Sequence, residues 1–175
     1  MLDGTGDWLT TPDNADFVLG TQDFTVDLWF NCNKAGGSDA DLGGQSDGIG
    51  SPWANTSFFC DRSAGNLMRL FVSDGTNLTA IQGTTQFTNL LNTGWHHYAG
   101  VRSGNSLLLF IDGVLEASGS FSASIPNVTA LPTVGVRAST GGSPWLGWID
   151  EFRISVGVAR WTANFTPPAA PYGPK

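Results

Sequence analysis

Apolar and polar residues alternate without a break from Phe24 to Cys32: Phe24, Val26, Leu28, Phe30 and Cys32 fall on one side, Thr25, Asp27, Trp29 and Asn31 on the other. Successive side chains of an extended chain point to opposite faces, so a repeat of two marks a β-strand with one face on a core. The stretch 95–102 repeats the pattern, with Trp95, His97, Ala99 and Val101 alternating with His96, Tyr98, Gly100 and Arg102. A Ser-Gly-Asn turn, a strand, the pair Asp112-Gly113 and a return strand follow. Asp-Gly favours a two-residue hairpin, so this block predicts an antiparallel meander. Stretches 66–73, 78–83, 131–139 and 146–155 complete a set of about ten strands, and no convincing amphipathic helix interrupts them. The predicted fold is all-β: a two-sheet antiparallel β-sandwich of the jelly-roll kind.

Two segments break the alternation. Asn33 to Ser57 is rich in Gly, Ser and Asp and predicts a long loop, while residues 167–175 read as an extended, Pro-rich tail after a single domain of 1–166. Composition supports that layout: 175 residues at 41% hydrophobic content suffice for one core, and 23 Gly with 9 Pro supply many turns. A net charge of -7 with only 8 Lys and Arg argues against a nucleic-acid partner, which clustered cations would have to hold. No apolar run is long enough to cross a bilayer, and the start "MLDGTGDWLTTPD" lacks a basic and apolar leader. The expectation is a chain made in the cytoplasm without membrane insertion, whether whole or part of a longer protein. Cys32 and Cys60 are too few for a disulfide framework and lack metal-ligand spacing; they read as small buried side chains, with a single bridge as the alternative.

The motifs "DGTGDWLTTP", "DFTVDLWF", "LMRLFVSDG", "GWHHYAGVRSGNSLLLFIDGVLEASG" and "GWIDEFRIS", in that order, resemble the laminin G-like branch of the concanavalin A-like lectin/glucanase superfamily. The ending "ISVGVARWTANFTPP" resembles the form found in virion proteins of tailed bacteriophages. The resemblance implies a two-sheet jelly roll whose first and last strands are neighbours, used mostly for binding or adhesion. It also implies a place on the virion surface, with glycans or other cell-surface material and other virion subunits as partners, and possible homo-oligomers. A purely structural assembly or decoration module is the alternative, and a glycan hydrolase the third class.

The adjacent acids Asp150 and Glu151 bear on that choice. Hydrolases of the superfamily place two Glu and an Asp at alternate positions of one strand, so that nucleophile and acid/base flank the sugar about 5 Å apart. This chain has only Glu116 and Glu151, and strict alternation sends Asp150 and Glu151 to opposite faces, so no catalytic residue is predicted. The resemblance implies instead a structural Ca²⁺ held by Asp150 with Asp3, Gly4 and the "DGTGD" segment, for which hard oxygen ligands are suited. Direct hydrogen bonds from Asp150 to that segment's backbone are the alternative.

His96 and His97 alternate across their strand and so cannot share one ion without a bulge; His97 reads as a buried structural residue. The chain carries seven Trp. Trp145 and Trp148 match positions that the resemblance makes buried. Trp29, beside Asp27 and Asn31 on the polar side of its strand, and Trp53 in the long polar loop are each a candidate ligand platform, since an indole offers a flat surface to a sugar ring.

Overall fold

The computed structural model describes residues 1–32, 37–138, 140–170 and 172. Asn33 to Gly36 of the predicted loop, and Pro171 with residues 173–175 of the predicted tail, lie outside the described residues. Among the described residues the chain forms twelve strands: β1 (Leu2–Asp3), β2 (Leu9–Thr10), β3 (Phe24–Asn31), β4 (Ala40–Ser46), β5 (Thr56–Arg62), β6 (Leu67–Ser73), β7 (Leu78–Gln86), β8 (His96–Ser103), β9 (Ser106–Ile111), β10 (Val114–Ser120), β11 (Pro132–Val134) and β12 (Leu146–Val156). They build two six-stranded sheets, a front sheet β1-β12-β3-β8-β9-β10 and a back sheet β2-β11-β4-β5-β6-β7. First and last strands are neighbours, with Leu2 opposite Gly147. No helix among the described residues is long and apolar enough to cross a membrane.

The predicted alternation of β3 holds: Phe24, Val26, Leu28 and Phe30 enter the core between the sheets, where they meet Phe58, Leu70, Val72 and Tyr98. Cys32 and Cys60 are buried free thiols, and burial pushes the Cys32 thiol up to about 12. At the hairpin, Asp112 and Gly113 both take positive φ, 51° and 76°, as a tight two-residue loop requires.

The predicted loop 33–57 is corrected by the structure, because β4 runs through its middle, fully buried. The pair Gly43-Gly44 conceals a strand rather than a turn. A side chain at Gly44 would meet Phe59 at about 2.6 Å, and one at Gly43 would meet Phe152 at about 2.8 Å. The missing side chains let neighbouring aromatics close over both faces of the strand. The predicted strand 131–139 shrinks to β11, since the chain turns at Gly135 with φ 86°.

Two bulges redirect the chain's two glutamates. On β10, Leu115 pairs with Phe110 and Ala117 with Leu109, leaving Glu116 as the extra residue. Its carboxylate reaches edge strand β7 of the other sheet and accepts four hydrogen bonds, from the backbone N–H and the hydroxyl of both Thr84 and Thr85, at 2.7–2.9 Å. On β12, Asp150 pairs with Trp29 and Arg153 with Asp27, so Glu151 and Phe152 together oppose one residue of β3. Glu151 takes φ 54° to make this possible.

After β12 the chain crosses the outer face of the front sheet as a strap. Thr25 donates from its hydroxyl to the carbonyl of Val158 and accepts from Arg160 N–H. Trp161 and Phe165 stack at 4.0 Å over a second, smaller apolar cluster of Ala99, Val101, Leu108 and Phe110. Phe165 N–H donates to the carbonyl of Gly113, and Asn164 accepts from Leu115 N–H.

Candidate functional site

The strap turns the polar side of β3 into an interior. Asp27, predicted to touch ligand, has no exposed surface. Arg153 grips both of its oxygens, at 3.0 and 2.7 Å, and the Tyr172 hydroxyl donates to Oδ2 at 2.5 Å. Burial alone would raise the Asp27 carboxyl, but hydrogen bonds from His97, Arg153 and Tyr172 outweigh it and hold the group below the usual aspartate value. Arg153 also lies over the Tyr172 ring, 3.6 Å from its centroid. His97 is buried as predicted, under the strap rather than between the sheets; its ring meets Trp29, Trp161 and Phe165 edge-on at 5.2–5.7 Å. Asp27 is thus the anchor of the strap and is not available to a ligand.

Where the described strap ends, the sheet face opens. Trp29 lies opposite His97 of β8 and Asp150 of β12. One row further along, Asn31 pairs with Trp148, and Trp95 immediately precedes β8 next to His96, the partner of Phe30. The register therefore places Trp29, Trp95 and Trp148 around Asn31 on one face of three adjacent strands. Trp95 is 45% exposed, and Trp29, Asn31 and Trp148 are half-buried. Trp29, Trp95, Asp150 and Glu151 line a cleft of about 280 Å³ whose remaining wall is the strap at Pro168, Ala169 and Ala170.

The β12 bulge brings both acids to this cleft, correcting the expectation that neighbours face opposite ways. With one extra residue in the strand, Asp150 and Arg153 share the outer face while Ile149, Phe152 and Ile154 pack against the core. Asp150 Oδ1 accepts from Glu151 N–H at 2.9 Å, and Glu151 Oε2 accepts from Tyr172 N–H at 2.7 Å. One oxygen of each carboxylate is thereby fixed in direction.

The other predicted site residues lie elsewhere. Trp53 sits on the outer face of the back sheet, its ring 6.4 Å from Phe59, which stacks on Phe71 at 4.4 Å. The two candidate platforms, Trp29 and Trp53, thus belong to opposite sheets. Asp3 lies opposite Leu146, four residues along β12 from Asp150, so roughly 13 Å of strand separates the two positions. The Asp3 carboxylate accepts from Thr5 N–H, and with Gly4 it borders a separate cleft of about 480 Å³ beside Asp39, Arg62 and Trp145. Asp150, Asp3 and Gly4 do not fit one calcium ion, and no group of three His, Cys, Asp or Glu suited to a metal occurs among the described residues.

Sequence reasoning missed Trp95 and the outward position of Trp148. Trp95 carried the right signal, since it shares the alternation of His97, but only the register against β3 shows that it joins Trp29.

Residues 3–160 match a family profile described as the concanavalin A-like lectin/glucanases superfamily, of laminin G type. No curated protein matches the chain. Among solved structures, the mouse laminin alpha1 chain, domains LG4-5, superposes with TM-score 0.69 at 15% identity, covering 99% of this chain and 46% of that one. The chain spans about half the length of that laminin fragment. A Ruminococcus gnavus IT-sialidase CBM40 bound to alpha2,3 sialyllactose gives TM-score 0.61 at 12% identity, with 89% and 92% covered. Domain 4 of AbnA, an extracellular arabinanase from Geobacillus stearothermophilus, in complex with arabinotriose, gives TM-score 0.61 at 20% identity, with 90% and 70% covered.

Proposed function

Because the chain belongs to the concanavalin A-like lectin/glucanases superfamily, we propose that it is a non-enzymatic glycan-binding domain whose site is the cleft between Trp29 and Trp95. The observation that carries this reading is the joining of two indoles from adjacent strands to two carboxylates in one shallow cleft. An indole face packs against the C–H face of a sugar ring, and carboxylate oxygens accept from its hydroxyls. Edge-on contact with His97 fixes the Trp29 ring before any ligand arrives, which lowers the ordering cost of binding. The acids sit side by side on one strand, with one oxygen of each held by backbone N–H groups. They are adjacent residues instead of the alternate ones by which the superfamily's hydrolases flank a sugar, and the chain's other glutamate, Glu116, is held by Thr84 and Thr85 at another edge, so the arrangement favours binding over cleavage.

The resemblance of the chain's ending to virion proteins supports display on the surface of a tailed bacteriophage, where many copies would turn weak single-site affinity into avidity for a host cell. A glycan array followed by calorimetry tests the site: Trp29→Ala and Trp95→Ala should each weaken binding about tenfold or more, and Trp53→Ala should leave it unchanged. Binding lost with Trp53 and kept without Trp29 would move the site to the other sheet.

A further inference from the structure

Resting on that reading, we infer that the cleft is selective by charge: it takes neutral, hydroxyl-rich glycans and rejects their acidic counterparts. The argument comes from what the two carboxylates have left to offer. Asp150 and Glu151 each spend one oxygen on a backbone N–H, and neither has a second hydrogen-bond partner among the described residues. The oxygens that remain can only accept. A sugar hydroxyl donates to such an oxygen in a charge-assisted hydrogen bond, whereas the carboxylate of a sialic or uronic acid brings acceptor against acceptor and negative against negative charge.

No described cation lines the cleft to reverse this. Along β12 the nearest guanidinium is Arg153, which gives Nε and Nη2 to the two oxygens of Asp27 and lies over the Tyr172 ring. On the β8 side, His96 pairs its Nδ1 with Asp112 at 2.7 Å and its Nε2 with Thr93, so another acid stands behind the only imidazole with exposed surface. His97 is buried and directs Nε2 to the Tyr172 hydroxyl. The floor and both flanks of the cleft are therefore apolar or acidic, in a chain of net charge -7. Like charges held within a few ångströms at a partly desolvated surface oppose binding strongly enough to decide between ligands of equal shape.

An array carrying neutral glycans beside their sialylated and uronic-acid counterparts provides the ligand pair, and calorimetry on the best neutral ligand and its acidic counterpart provides the measurement. The parent should prefer the neutral form by about tenfold or more. The double variant Asp150→Asn/Glu151→Gln keeps an acceptor for each backbone N–H, exchanges the charge-assisted bonds to the neutral form for weaker ones, and should close the gap to about threefold or less, with the acidic form binding more tightly than it does to the parent. Equal affinity for both forms in the parent, or a gap unchanged in the double variant, overturns the charge selection; if Trp29→Ala still weakens binding about tenfold or more, the platform itself stands. A blank array, or a neutral ligand indifferent to Trp29→Ala and Trp95→Ala, removes the platform and this inference with it.

Discussion

On the front sheet Asp27 lies beneath the strap with no exposed surface, and on the back sheet Asp41 is equally sealed, against the loop that precedes β12. Each is gripped by an arginine, Arg153 for Asp27 and Arg137 for Asp41 at 3.0 Å. Their chemistry nevertheless diverges. Asp27 has a donor for both oxygens and a third from Tyr172, and its carboxyl is held below the usual aspartate value. Asp41 Oδ2 has no hydrogen-bond partner among the described residues, and Arg137 is shared with Asp61, which also takes Arg69. Burial pushes the Asp41 carboxyl up to about 7; Arg137 pulls against the shift, and the neighbouring Asp61 and Asp39 add to it. The balance of donors against burial and neighbouring acids decides whether an enclosed acid stabilises the fold or strains it: Asp61, with three arginine donors but buried and with Asp39 close by, is still raised.

The comparison breaks most sharply at Asp27. Asp27→Ala leaves Arg153, His97 and Tyr172 without their common acceptor and should cost about 3–5 kcal/mol in urea denaturation; a loss below about 1 kcal/mol would mean that the strap is held by its aromatics alone. Next comes the pH dependence, where the two residues have opposite signs. The raised Asp41 value means the folded chain keeps a proton that the unfolded chain releases, so its contribution is complete below about 4 and is lost as pH rises towards 7. Thermal melts should show parent stability declining across that window by up to about 1.4 kcal/mol per pH unit, with a shallower decline in Asp41→Asn, where the likewise raised Asp61 still contributes. The lowered Asp27 value acts in the other direction: its contribution is present above the ordinary aspartate value of 3.8 and is lost as pH falls below it. The smallest expected effect is that of Tyr172→Phe, which removes one donor of three from Asp27 and should cost about 1 kcal/mol by the same denaturation assay.

Much of the fold was legible because β3, β8 and the Asp112-Gly113 hairpin follow local rules: period two, one residue per partner, turn residues at turns. β4 was not, because Gly43 and Gly44 serve close approach by Phe152 and Phe59, and a residue chosen for what it lacks looks the same in a strand as in a loop. The site was half legible. Trp29 stood out on the polar side of a clean strand, but Asp150 and Glu151 were assigned to opposite faces because alternation presumes no bulge. The sealing of Asp27 depends on Tyr172, 145 residues away, and no local pattern encodes a contact at that separation.

The bulge at Glu116 matters beyond the single molecule. Strands β7 and β10 end their respective sheets on the same side of the sandwich, and an uncovered sheet edge offers unpaired N–H groups to any extended chain nearby. By spending its carboxylate on the N–H groups of Thr84 and Thr85, Glu116 occupies part of that row and places a charge where a foreign strand would have to dock. Two copies brought edge to edge at high local density therefore meet a blunted margin instead of a template, which favours a dispersed protein over β-sheet aggregates.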